Sequence, residues 1–193
     1  MSNWIEQMEG SRRAAAAIAP VLRSLFPGVG GQRLVIFDEL ETKSDVELEA
    51  SGFSSVDDLY AALEKIAAEN RSVESIMVKG VGRFVFADPG TKAESNRMRG
   101  KIALVTGGAQ GFGEGIAREL AGFGAHVVIA DLNLELAEKV VASICEQYGD
   151  NAAHALPVNV GDEESVRDLM EKIALRFGGL DLLVSNAGVL KAG

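Results

Sequence analysis

Ile102-Ala103-Leu104-Val105-Thr106-Gly107-Gly108-Ala109-Gln110-Gly111-Phe112-Gly113 decides the fold of the second half of this chain. The apolar run from Ile102 to Val105 reads as a buried strand, and it passes without a spacer into a glycine-rich turn. Behind the turn, Ile116, Ala117 and Leu120 give one face of an amphipathic helix expected over 112–123. Strand, glycine turn and helix in that order are the setting of a phosphate-binding loop. Gly107 lets the chain leave the strand tightly, Gly111 lets backbone approach a pyrophosphate, and Gly113 lets helix and strand pack closely. The unpaired amides at the start of the helix then face the anion, with the positive end of the helix dipole behind them.

Outward from this stretch the alternation continues. A strand is expected over 126–130, a helix over 134–148, a strand over 153–160, a helix over 163–177 and a strand over 180–184. Strand–helix–strand with short connections requires parallel pairing, because each helix returns the chain to the same end of the sheet. The fold class expected for residues 101–193 is therefore α/β, a partial Rossmann-type doubly wound parallel sheet.

Asp131 ends the second of these strands, 18 residues beyond Gly113. An acid at that distance is placed to accept hydrogen bonds from the ribose hydroxyls of an adenosine and to repel a 2′-phosphate. Gln110 and Leu132 stand where a phosphate-bearing cofactor would call for a cation, so NAD is expected in preference to NADP. The competing reading of Asp131 is a cap on the following helix.

The spacing of Thr106, Gly107, Gly111 and Gly113 resembles the Gly-x-x-x-Gly-x-Gly turn of the short-chain dehydrogenases/reductases, and Asn186-Ala187-Gly188 is similar to that family's Asn-Ala-Gly motif. The resemblance covers residues 101–193. It implies cofactor contacts from Thr106, Gly107, Gln110, Gly111, Phe112 and Gly113, from Asp131 and Leu132, from Asn159 and Val160 at the adenine, and from Asn186, Ala187 and Gly188. Family members usually carry Asp-Val where this chain has Asn159-Val160, and the Asn carbonyl retains the acceptor. The turn is also similar to those of sorbitol-6-phosphate 2-dehydrogenases and of aldolase/dehydrogenase fusions. In the family, a Ser, a Tyr with a Lys four residues later, and an Asn carry out proton transfer. Here Tyr60 is followed by Glu64 and Tyr148 by Ala152 at that spacing, so no catalytic residue is assigned. The resemblance further implies three more strands after 184, and the chain is expected to be part of a longer enzyme.

Residues 1–90 are expected to form a small α/β region, followed by a linker over 91–100. Helices are expected over 12–26 and from Ser55, and strands over 33–37, 73–79 and 83–87. The acids Asp38, Glu39, Glu41, Asp45 and Glu47 read as a solvated loop, and no metal is expected. This region contains no histidine, which excludes a zinc-dependent aldolase site of its own. His126 and His154 are expected to be structural.

A net charge of −9 argues against nucleic acid as a partner, and no apolar stretch is long enough to span a membrane. The Ser11-Arg12-Arg13 run resembles a twin-arginine leader, but Pro20 and Arg23 interrupt its apolar segment. A single cysteine, Cys145, suits a reducing cytoplasm. The expected protein is an NAD-dependent oxidoreductase acting on an alcohol, polyol or sugar phosphate, homo-oligomeric when complete. The alternative is an NAD-binding or interaction module without turnover.

Overall fold

The computed structural model describes residues 5, 8, 10–28, 32–39, 43–70, 72–87, 92–93 and 95–188. The chain divides into two compact units, Met1–Asp88 with Glu171–Gly179, and Pro89–Met170 with Leu180–Gly193. Glu41 of the expected acidic loop, and residues 88–91 and 94 in and beside the expected linker, lie outside the described residues.

In the first unit, helix α1 (Ser11–Leu25) buries Ala14, Ala15, Ile18, Ala19 and Leu22, the i and i+4 positions of one face. Strand β1 (Leu34–Asp38) follows, then β2 (Val46–Glu49), helix α2 (Val56–Glu69), β3 (Ser75–Lys79) and β4 (Gly82–Ala87). The sheet order is β1-β4-β3-β2, with β2 and β3 parallel and the other pairs antiparallel. Ile18, Leu22, Phe26, Leu59, Leu63, Ile76 and Phe84 form its core. Burying a Leu or Ile of this kind stabilises by roughly 1.5–3 kcal/mol. Ser55 caps α2 through its hydroxyl, which accepts from the Asp58 amide at 3.2 Å.

The expectation of a solvated acidic loop is corrected here. Asp38 ends β1 and Glu47 lies within β2, a strand that alternates half-buried Val46 and Leu48 with exposed Glu47 and Glu49. Two apolar residues are too few to register as a strand against so many acids. Asp45 is fixed at the start of β2: its Oδ2 accepts from the amides of Glu74 at 2.8 Å and Ser75 at 2.9 Å.

In the second unit, β5 (Ile102–Thr106) leads to helix α3 (Gly111–Gly122), β6 (His126–Asp131), helix α4 (Leu134–Tyr148), β7 (Ala153–Pro157), helix α5 (Glu163–Phe177) and β8 (Leu182–Val184). The part of α5 from Glu171 onward falls with the first unit. The four strands are parallel in the order β7-β6-β5-β8. The chain thus steps outward from β5 through β6 and β7, then returns to the other side of β5. That reversal is the switch point of a doubly wound α/β sheet, the region outside which such sheets take their ligands. β5 is buried along its whole length, which is why it reads as an unbroken apolar run. Ala103, Val105, Val127 and Ile129 share a core with Ala117 and Ala121 of α3 and with Val140 and Ile144 of α4.

β7 ends at Pro157, before the expected boundary at 160. The Asn159 side chain accepts from the Gly161 amide at 3.1 Å, an Asx turn that bends the chain toward α5, so Asn159 and Val160 sit beyond the strand. The polar stretch ahead of β5 is tied to helix ends: the amides of Lys92, Ser95 and Met98 donate to the carbonyls of Tyr148, Gly122 and Phe123 at 2.7, 3.1 and 2.9 Å. Among the described residues, no helix is long and apolar enough to cross a membrane.

The Asp45 carboxylate is held below its ordinary value of 3.8, chiefly by the amides of Glu74 and Ser75. A lowered folded-state pKa contributes stability that is present above the unfolded value and is lost as pH falls through the folded one. The amide resonances of Glu74 and Ser75 should therefore follow an acid titration with a midpoint below 3.8. Asp45→Ala should destabilise at neutral pH, and its difference from the parent chain should vanish in strong acid. A midpoint at or above 3.8 would refute this account.

Candidate nucleotide-binding site

A cleft of about 1160 Å³ opens at the carboxyl ends of the parallel strands of the second unit. Its wall is built from Gly107, Gln110, Gly111, Phe112 and Gly113, from Asp131 and Leu132, from Asn159 and Val160, and from Asn186, Ala187 and Gly188. The structure thus brings together every residue expected at a cofactor except Thr106, which is buried beneath the wall. Ala130, Asn133, Leu134, Val158 and Gly161 also line the cleft. Sequence reasoning misses these because each is an ordinary residue in its setting. Their adjacency to Asp131 and Asn159 at strand ends is the signal that could have found them.

The glycines divide the work. Gly107, at φ +65°, donates its amide to the Ala130 carbonyl at 2.8 Å. Gly113 lies so close to the strand end that a Cβ there would sit 2.1 Å from the Gly107 carbonyl oxygen and 2.5 Å from Asn186 Nδ2. Gly111, at φ +58°, has no neighbour within 4 Å of such a Cβ, so its side of the turn is open.

The Asn186 carboxamide donates to the carbonyls of Thr106 and Gly107, both at 3.1 Å. Thr106 answers from below. Its hydroxyl accepts from the amides of Asn186 at 3.1 Å and Ala187 at 3.2 Å and donates to the Val184 carbonyl at 3.4 Å. The ends of β5 and β8 are thereby locked to each other and to the glycine turn.

Asp131 is not the cap of α4. Asn133 fills that position, accepting from the Leu136 amide at 3.1 Å. The Asp131 carboxylate accepts from the Ala109 amide at 3.1 Å through Oδ2 and from the Asn133 amide at 3.0 Å through Oδ1. It is the charged group among the described lining residues, which include no Lys, Arg or His. Phe112, Leu132 and Val160 are 90%, 78% and 48% exposed at the rim.

The other residues considered in sequence lie elsewhere. Tyr60, in the first unit, donates to the Ala17 carbonyl at 3.1 Å, and burial followed by the charge of Asp57 pushes its pKa upward. Tyr148 accepts from Gln147 Nε2 at 2.9 Å at the end of α4. His126 is buried with its Nδ1 against the Asn151 carbonyl, and His154 is half-buried in β7. Cys145 is half-buried, its thiol directed at the carbonyls of Asp150 and Ala153.

The model of the short chain dehydrogenase family matches residues 101–193. This part of the chain is similar to the short-chain dehydrogenases. The dehydrogenase family comprises oxidoreductases that act on small molecules with NAD or NADP. The chain is 45% identical over 89 residues to the uncharacterized oxidoreductase YuxG of Bacillus subtilis, covering 46% of this chain and 13% of that protein. It is 43% identical over 96 residues to the 2,3-dihydro-2,3-dihydroxybenzoate dehydrogenase of the same organism, covering 50% of this chain and 36% of that protein. It is 44% identical over 92 residues to the 15-hydroxyprostaglandin dehydrogenase [NAD(+)] of Bos taurus, covering 48% of this chain and 35% of that protein. The chain therefore spans between 13% and 36% of the lengths of these relatives.

Two substitutions on one helix separate close packing from helix propensity. Gly113→Ala should lower stability by about 1–3 kcal/mol through overpacking. Gly115→Ala, with nothing within 4 Å of the added methyl, should raise it by up to about 1 kcal/mol. Urea unfolding of both variants tests this, and equal effects would contradict it. Thr106→Val preserves shape but strips the acceptor from two amides, and should cost about 1–3 kcal/mol, whereas Thr106→Ser should cost less.

Proposed function

We propose that the cleft binds the adenosine diphosphate half of NAD and that the protein is an NAD-dependent short-chain dehydrogenase acting on an alcohol, polyol or sugar phosphate. One observation carries the cofactor preference: a carboxylate, Asp131, stands at the end of β6 beside the glycine turn, in a cleft whose described lining has no cation. A 2′-phosphate would meet repulsion there and no partner, while ribose hydroxyls would meet an acceptor. The bovine 15-hydroxyprostaglandin dehydrogenase carries NAD(+) in its name, which supports the same choice.

The residues present fit this cofactor. Gly111 leaves open space beside the turn, and the first amides of α3 face it, so the pyrophosphate would be held by backbone donors. Leu132 and Val160 supply the apolar surface for adenine, and the Asn159 carbonyl oxygen is an acceptor for its amino group. Asn186, Ala187 and Gly188 close the side of the cleft formed after β8. Bound NAD supplies a nicotinamide ring that accepts or gives up a hydride. In the same reading the enzyme is cytoplasmic and homo-oligomeric.

Calorimetric titration of the chain with NAD and with NADP tests the proposal. NAD should bind, and NADP at least about ten-fold more weakly, the equivalent of about 1.4 kcal/mol. Equal affinities would overturn the cofactor preference, and absence of binding by either would overturn the site.

A further inference from the structure

The glycine turn is anchored by main chain at both ends and by a side chain in its middle. Gly107 N–H bonds the Ala130 carbonyl at 2.8 Å, and the Gln110 carbonyl accepts from the Glu114 amide at 3.3 Å. Between them the amide of Ala109, itself buried, donates to Asp131 Oδ2 at 3.1 Å. This bond crosses from the end of β6 to the turn that follows β5, and its acceptor is charged, which makes it stronger than a neutral one. The turn needs such a restraint. Gly107 and Gly111 occupy the left-handed region at φ +65° and +58°, and glycine has more alternative conformations open to it than any other residue.

We propose that Asp131 is a positioning residue for the glycine turn as well as the residue that faces the adenosine ribose, so that one carboxylate sets both cofactor preference and the shape of the phosphate cradle. The inference rests on the nucleotide reading above and extends it to the order of the cofactor-free site. It has a consequence for altering specificity. Removing the carboxylate to admit a 2′-phosphate also releases Ala109, so the backbone amides facing the pyrophosphate lose their arrangement and both dinucleotides bind less well. A substitution that keeps an acceptor of the same reach avoids that loss.

The test compares Asp131→Ala with Asp131→Asn, both neutral, of which only the second keeps an oxygen able to reach Ala109. Amide hydrogen exchange is read first, in the cofactor-free chain. Exchange at Ala109 should be about ten-fold faster or more in Asp131→Ala and near the parent rate in Asp131→Asn, with the Ile129 amide of β6 showing that the sheet is intact. Affinity for 2′,3′-dideoxyadenosine diphosphate, which offers no ribose hydroxyl to residue 131, is read second. It should be about five-fold weaker in Asp131→Ala than in Asp131→Asn, the size of one hydrogen bond. If Asp131→Ala does not fold, Asp131→Ser, whose hydroxyl falls short of Ala109, takes its place. Unchanged exchange at Ala109 with ADP still bound by the parent chain overturns the positioning role alone. Equal affinity of the two variants for the dideoxy nucleotide overturns its effect on the cradle. Failure of the parent chain to bind ADP or NAD, with Ala109 exchanging as expected, overturns the nucleotide reading and reduces Asp131 to an anchor of the turn.

Discussion

The carboxamide of Asn186 ties the end of β8 to the end of β5 and to the start of α3. It donates to two successive carbonyls at the end of β5, and a Cβ on either Gly107 or Gly113 would fall within about van der Waals contact of it or closer. Helix α3 can begin where it does because Gly113 has no side chain, and the chain can leave β8 where it does because Thr106 takes the amides of Asn186 and Ala187 just beyond it. The cleft is the space left in front of this junction. Around the glycine turn its wall is consequently backbone and short side chains held by hydrogen bonds, a preorganised surface for an anion.

The first unit is held together differently. Its sheet mixes parallel and antiparallel pairs, and one of its two edge strands, β2, is preceded by Asp45, which gathers two amides of the neighbouring segment. Lys79 lies between Glu47 and Glu49 on the exposed side, which raises its pKa, with the hydrogen bond to Glu49 as the leading cause. Such solvated pairs contribute little to stability, so the strand's position follows from Val46 and Leu48 packing beside the core and from the Asp45 bonds.

What could be read in the sequence was whatever repeats or stands at a fixed spacing. β5 and β6 announce themselves as apolar runs because both faces are covered, and Gly107, Gly111, Gly113, Asp131 and Asn186 fall at spacings whose geometry is known. Their convergence on one cleft followed from parallel topology. The illegible part was set by bonds between a side chain and a distant backbone group, which leave no pattern. Nothing in the residues around Asp131 tells that its carboxylate holds Ala109, and Asn159 differs from a strand residue only through the turn its own side chain makes. The acids around Asp45 even pointed away from the strand they border, since charge density outweighed two apolar positions.

The backbone amides of Lys92, Ser95 and Met98 bear on how the family segment is passed between proteins. By sequence pattern the family match begins at 101, yet the carbonyls that end α3 and α4 find their donors upstream of it. A recombination event that carried only the recognisable family segment would leave these helix ends to solvent, or to whatever sequence happened to precede them. The unit of inheritance that preserves the hydrogen bonding is longer than the unit of resemblance, and its extra residues are polar and unpatterned. The side chains leave these bonds unmarked in the sequence, because an amide donates equally well from a lysine, a serine or a methionine.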